Sequence, residues 1–407
     1  MSTPFEPGAI PEGDFVPLCV PEIRGAEWNY VKECLDTGWV SSVGAYVERF
    51  EREVAAFVGT DYAVATASGT AALHIALLVA GVQPDDEVLV STLSFIAPAN
   101  AIRYAGAWPV FIDAEPDYWQ MDPARVAAFL EESCRSTNGE LRNRLTGRRV
   151  SAIVPVHILG HPVDIDPILQ LARTYGLAVV EDATESLGAQ YRGRMVGHLG
   201  DIACFSFNGN KIITTGGGGM IVTDNPEWAR RAKYLTTQAK DDPLEYVHKA
   251  IGYNYRLTNI QAAMGCAQFE QLPDYIAAKR HTAAVYDAAL REIGGLTPMR
   301  EAPWASSISW MYTALVDPDS YGMTSRELLR YLGTMKIQTR PLWQPLHLNE
   351  PYRDHSAGAY PISERLYHHA LSLPCSVGLR DAARERVIEA IRAGRLADVP
   401  GAAGRQA

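Results

Sequence analysis

The chain has 407 residues, long for a single average domain, with 47% apolar and 21% charged residues, the balance of an ordinary globular protein. A net charge of −10 and a pI near 5.5 exclude the basic face a nucleic-acid binder needs, so an anionic substrate would have to be held by local groups. The six cysteines are scattered without a CxxC pair or a histidine at ligand spacing, which excludes a zinc site and a disulfide framework. Met1 to Phe15 lacks the basic start and apolar core of a signal peptide, and no apolar run reaches membrane length. Free thiols and a cytoplasmic setting are expected, with no metal.

Residues 1–15 and 395–407 read as tails, rich in Pro, Gly and Ala without a sustained period. Val47 to Val58 carries apolar residues at helical spacing and stops at Gly59. A strand is then predicted at Tyr62 to Thr66, and a helix at Thr70 to Ala80 closed by Gly81. Next come a strand at Glu87 to Ser91, a helix at Ala97 to Ala105 and a strand at Trp108 to Ile112. The polar stretch 131–149, with Asn138-Gly139 and Thr146-Gly147, reads as an excursion or hairpin. Val150 to Val156, Ile165 to Tyr175 and Leu177 to Glu181 continue as strand, helix and strand. This alternation predicts an α/β fold with a largely parallel sheet flanked by helices, and ligands beyond the carboxyl ends of its strands. Past Leu257 the chain reads as helical to about Gly294. A strand at Met311 to Val316 and helices at Ser325 to Leu332 and Asp381 to Ala393 then suggest a smaller α+β domain. The expected division is a large domain over 16–272 and a small one over 273–394.

Three segments bear chemistry. Ser68-Gly69-Thr70 follows a strand and opens a helix, where backbone N–H groups and the helix dipole favour an anion, although serine there is also an ordinary N-cap. Glu181-Asp182 ends an apolar strand and is followed by Glu185. A carboxylate at Asp182 suits the ring nitrogen of a pyridine cofactor, and a helix cap is the plain alternative. The third segment, Ala203 to Thr215, is a strand running into a polar turn with one lysine, Lys211. Gly216 to Gly219 lead from it into the strand Met220 to Thr223. Four glycines cost backbone entropy and suit tight folding or close approach to a ligand. A lysine among apolar neighbours suits an amine nucleophile, and a surface lysine on a glycine hairpin would not explain such apolar flanks.

With Ser68-Gly69-Thr70-Ala71-Ala72-Leu73, Glu181-Asp182-Ala183, Phe205-Ser206-Phe207 ahead of Lys211, and Gly252-Tyr253-Asn254-Tyr255-Arg256 in order, the chain resembles the DegT-type nucleotide-sugar aminotransferases. These are pyridoxal-phosphate (PLP) enzymes of the aspartate-aminotransferase fold, with a seven-stranded-type sheet. The resemblance spans Val16 to Arg392. It implies that Lys211 binds the cofactor covalently and that Asp182 meets the pyridine nitrogen. It implies further that Glu185 lies near the ring hydroxyl, Phe95 stacks on the ring, and Ser68, Gly69, Thr70 and Ser206 hold the phosphate, with Asn208 beside them. Asn254 resembles the residue that reaches the phosphate of a neighbouring subunit, which implies a homodimer with shared sites.

Lysine at 211 favours transamination over the dehydratases that carry histidine there. A non-catalytic relative would show a damaged site, and every matched position is intact. Thr37 to Gly44, Asn208 to Lys211, the four glycines and Thr237 to Asp242 resemble the bacillosamine and legionaminic-acid subgroup. This implies amination at C4 of a UDP-linked 4-keto-6-deoxy-N-acetylhexosamine with glutamate as donor. Perosamine-type enzymes, acting on a GDP-linked 4-keto-6-deoxy sugar, are the nearest alternative. Trp39, Ser41 and His157 are candidates for sugar contacts, and Lys240 and Arg340 for the diphosphate. Trp343, Pro345 and His347 read as loop packing.

Overall fold

The computed structural model describes residues 15–242, 244–353 and 358–396. Of the tails expected at 1–15 and 395–407, only Phe15 and residues 395–396 are among them, the latter closing the last helix, Asp381–Leu396.

Seven strands form the main sheet: β1 (Tyr62–Thr66), β2 (Glu87–Ser91), β3 (Trp108–Ile112), β4 (Val150–Val154), β5 (Ala178–Asp182), β6 (Ile202–Ser206) and β7 (Gly219–Thr223). Their spatial order is β1-β7-β6-β5-β4-β2-β3. All neighbouring pairs are parallel except those made by β7, which runs antiparallel between β1 and β6. Every residue of β2 is buried, as expected of a parallel strand covered on both faces. The helix Gly69–Val79 is apolar nearly all round and correspondingly buried, packed mainly on β6 and β7.

The polar excursion is a hairpin, Cys134–Thr137 paired with Glu140–Asn143. Its turn residues Asn138 and Gly139 both have positive φ (53° and 80°), as a two-residue hairpin turn requires. The chain leaving it covers the buried Glu87, whose carboxylate accepts hydrogen bonds from Asn143 Nδ2 and Thr146 Oγ1, both at 2.7 Å.

A second, antiparallel sheet comprises Leu296–Pro298, Tyr312–Val316, Ala370–Leu373 and Arg340–Pro341 in that order. The helices Leu272–Ile293, Ser325–Thr334 and Asp381–Leu396 pack around it. The N-terminal segment reaches this side: Val16 bridges Ile337, and Leu18 O accepts from Cys375 N at 2.8 Å. The two sheets meet at Gly160, which has a φ of 90°. A Cβ there would stand 2.6 Å from Trp310 N, while Gly160 O accepts from Ile308 N and Ser307 Oγ. That contact delivers Trp310 to the carboxyl edge of the main sheet. No helix among the described residues is long and apolar enough to cross a membrane.

Candidate active site

β7 sets the geometry of the site. Thr66, at the end of β1, and Ser206, at the end of β6, both pair with Gly219. The turn after β1 is thereby held beside the end of β6. Ser68 caps the helix that follows, its Oγ accepting from Ala71 N at 3.1 Å. A Cβ on Gly219 would stand 2.7 Å from Gly69 N and closer still to Ser68 O; one on Gly69 would stand 2.8 Å from Ser206 Cβ. Part of the glycine run thus serves close approach of backbone to backbone at a helix N-terminus, and Gly216 supplies a positive φ of 77°.

Above this turn lies a cleft of about 390 Å³. Ser68, Gly69, Thr70, Ser206, Gly217 and Gly218 line one end of it, and Ser94 and Phe95 line a wall. Asp182, Thr184 and Glu185 form the floor, with Asn208, Asn210 and Lys211 at the side. The structure therefore brings together Ser68, Gly69, Thr70, Phe95, Asp182, Glu185, Ser206, Asn208 and Lys211, residues that span more than a hundred positions of sequence.

Asp182 accepts a hydrogen bond from Thr184 N at 3.1 Å and is buried. Burial pushes its carboxyl up, against the hydrogen bonds of Thr184 and the charge of Lys211. Glu185 Oε2 accepts from Leu159 N at 2.8 Å, and its Oε1 lies 3.6 Å from Lys211 Nζ. Burial pushes this carboxyl up as well, with Lys211 opposing. Lys211 ends a tight turn in which its N–H donates to Asn208 O, and its ammonium sits 4.2 Å from the centre of the Trp310 ring.

Trp310 and Trp343 line the cleft from the second sheet's side. Trp343 is therefore more than loop packing. Trp310 follows Lys211 by about a hundred residues and belongs to no motif near it; only the fold shows the contact. By contrast, His347 is a packing residue as expected, bonded to Thr92 Oγ1 and Glu364 and stacked on Tyr360.

His157 does not face the cleft. It is fully buried, its Nδ1 accepts from Val163 N at 3.0 Å, and its Nε2, left with the proton, donates to Glu181 Oε2 at 3.0 Å. A sugar contact is thereby excluded, because neither ring nitrogen is free. Glu181 and Asp182 end the same strand but point to opposite faces. Glu181 also accepts from the amides of Gly197, Leu199 and Gly200. Burial would raise its carboxyl; the His157 hydrogen bond and these amides outweigh that and hold it below the usual range. A folded-state pKa below the unfolded one adds stability above the unfolded pKa, lost as pH falls through the folded one. Glu181→Gln is thus expected to cost about 3 kcal/mol at pH 7. Urea denaturation should show this difference shrinking as the pH falls; an unchanged midpoint would contradict the role.

Other predicted contacts lie outside the cleft. Trp39 is exposed, and the carbonyls of Trp39 and Ser41 are tied to Asn259. Lys240 lies on a two-stranded ribbon with its ammonium 4.9 Å from the Tyr246 ring centre. Arg340 lines a neighbouring cavity that shares Asn210, Trp310 and Trp343 with the cleft. Asn254 is exposed; the adjoining Tyr255 carbonyl accepts from Ala67 N, one residue before the cradle.

This donor set fits PLP: a phosphate cradle at a helix N-terminus, a buried acid and an amine within one cleft. Comparison with known proteins agrees. The family described as DegT/DnrJ/EryC1/StrS aminotransferases matches residues 21–392. The GDP-perosamine synthase of Caulobacter vibrioides is 38% identical over 377 residues, 92% of this chain and 97% of that protein. The GDP-perosamine synthase of Vibrio cholerae is 34% identical over 382 residues, covering 93% and 98%. Among solved structures, DesV of S. venezuelae has a TM-score of 0.84 at 31% identity, covering 94% of this chain and 99% of that one.

Proposed function

The chain belongs to the DegT/DnrJ/EryC1/StrS aminotransferase family, and we propose from that premise that it aminates C4 of a GDP-linked 4-keto-6-deoxy sugar. It is a PLP-dependent sugar aminotransferase. The observation that carries the finer reading is the similarity, over nearly the whole chain, to proteins named GDP-perosamine synthase. This favours the perosamine-type alternative over the UDP-linked N-acetylhexosamine expected first. Glutamate is the proposed amino donor. A homodimer is the proposed assembly, with Asn254 serving the partner's cradle.

When bound, PLP supplies an aldehyde that takes up the amino group and a ring that accepts the electron pair released at the substrate carbon. The residues divide the remaining work. Ser68, Gly69, Thr70 and Ser206 would hold the phosphate with amides and hydroxyls at the positive end of the helix. Asp182 would keep a proton on the ring nitrogen, the opposite charge of the protonated ring offsetting the burial that by itself raises this carboxyl. Lys211 Nζ would hold the cofactor and, as a free amine, would take up and return a proton at the substrate carbon. Glu185 and the Trp310 ring confine that amine on two sides. The Trp310 indole also keeps water from it. Donor and acceptor use the cleft in turn, which requires ping-pong kinetics.

The test is spectroscopic. Glutamate should bleach the near-visible band of the purified protein, and a GDP-linked 4-keto-6-deoxyhexose should restore it. Restoration by the UDP-linked N-acetyl sugar alone would overturn the substrate. Keto product released without any amino donor would overturn the transfer itself.

A further inference from the structure

Lys279 lies in the helix Leu272–Ile293 with its side chain fully buried, yet among the described residues no carboxylate pairs with it. Its ammonium donates to Trp310 O at 2.8 Å and Cys375 O at 2.5 Å, and its remaining neighbours are two sulfurs: Cys19 Sγ at 3.4 Å and Cys375 Sγ at 3.7 Å. A buried ammonium needs an anion, and a thiolate is the anion these residues can supply. Cys19 is the partly exposed member of this pair, and indeed of the six cysteines; the other five are buried. It borders a cavity of about 190 Å³ beside the cleft, through which a small oxidant can reach it. The hydrogen bond from Cys375 and the charge of Lys279, against burial, hold the Cys19 thiol well below its ordinary value, while Cys375 is shifted upward.

We propose that Cys19 and Cys375 form a peroxide-sensitive thiol pair, with Cys19 the attacking thiolate set by Lys279 and Cys375 the resolving thiol. The Cys375 amide donates to the carbonyl of Leu18, the residue before Cys19, so the two segments run side by side, and both sulfurs stand against the same Lys279 ammonium, at 3.4 and 3.7 Å. In the first step Cys19 sulfur attacks one oxygen of hydrogen peroxide. The S–O bond forms, the O–O bond breaks, and the departing hydroxide takes a proton to leave as water. In the second, Cys375 loses its proton and attacks that sulfur; the S–S bond forms and the S–O bond breaks, releasing a second water. Two thiols are oxidised and one peroxide is reduced.

Closing the pair removes the anion beside Lys279. The same ammonium holds Trp310 O, and Trp310 in turn covers Lys211 and donates from Nε1 to Asn210 O at 2.8 Å. The Cys19 sulfur itself lies 3.6 Å from Asn210 O. Oxidation therefore acts on the residue preceding Lys211 from two sides.

Alkylation of the holoenzyme with iodoacetamide, followed by peptide mass spectrometry across pH, tests the thiolate without any variant. Modification of Cys19 should stay within about twofold between pH 6 and 8, where an ordinary thiol loses roughly fiftyfold or more. Substoichiometric peroxide should then give a peptide pair linking residues 19 and 375, two hydrogens lighter than the reduced peptides. Slowed amino transfer should accompany the link, and dithiothreitol should reverse both. In Cys375→Ser the link should be absent and a dimedone-reactive Cys19 should accumulate. Cys19 alkylation that falls with pH like an ordinary thiol, or oxidation without the 19–375 link, would overturn the proposal whatever the sugar substrate proves to be.

Discussion

Lys211→Ala is expected to lower the rate of amino transfer by about 10⁴-fold or more. The amine is asked to do two things: to hold the cofactor aldehyde covalently and to carry the proton between two carbons. Among the described residues no other amine lines the cleft, so nothing there can take over the covalent hold on an aldehyde, and Asn208 and Asn210 do not titrate. The fold should survive. Glu185 and Asp182 both lose a neighbouring positive charge, and burial already raises both carboxyls, the direction that disfavours a lone anion at either place. The near-visible band should vanish while the unfolding midpoint of the cofactor-free chain stays nearly unchanged. Retention of more than about one hundredth of the activity would assign the proton transfer elsewhere.

Asp182→Asn should have the next largest effect, with an informative split between activity and stability. In the proposed mechanism this carboxylate would pair with a protonated ring nitrogen, and losing one partner of such a buried pair costs about 3–5 kcal/mol, or roughly 10²–10⁴-fold in kcat. Asparagine keeps an oxygen for Thr184 N, so geometry is preserved and the charge alone is removed. In the cofactor-free chain the sign reverses. The folded-state carboxyl lies above its unfolded value, so its contribution is fully present below the unfolded pKa and is lost as pH rises through the folded one. At neutral pH the wild-type apoprotein therefore carries a cost that Asp182→Asn relieves. Urea denaturation at pH 7 should find the variant apoprotein as stable as wild type or more so, and kinetics should find it crippled. A loss of apoprotein stability would show that Asp182 is chiefly a structural cap.

How much of this was legible in the sequence follows from distance along the chain. The strands Tyr62–Thr66, Glu87–Ser91 and Trp108–Ile112 were readable to the residue, because short apolar runs bounded by turn signals are local properties. Asn138-Gly139 announced its hairpin for the same reason: two consecutive positive φ angles select those residues. Ser68, Asp182 and Lys211 were legible because each lies at or shortly after the carboxyl end of a strand, and a parallel sheet brings such ends to one edge.

What the tertiary structure alone decided is where separately written segments meet. No local pattern reports that β7 runs antiparallel between β1 and β6, so the crowding of Gly219 against Ser68 and Gly69 was invisible before the strand order was known. His157 looked like a residue at a crevice, and its burial against Glu181 depends on which face of β5 each acid takes. Trp310 over Lys211, and Lys279 between Cys19 and Cys375, join residues about a hundred to more than two hundred and fifty positions apart. Propensity and periodicity act over a turn or a strand. Contacts of that span are selected by the packing of whole layers, where the free energy belongs to the assembled core and to no single segment.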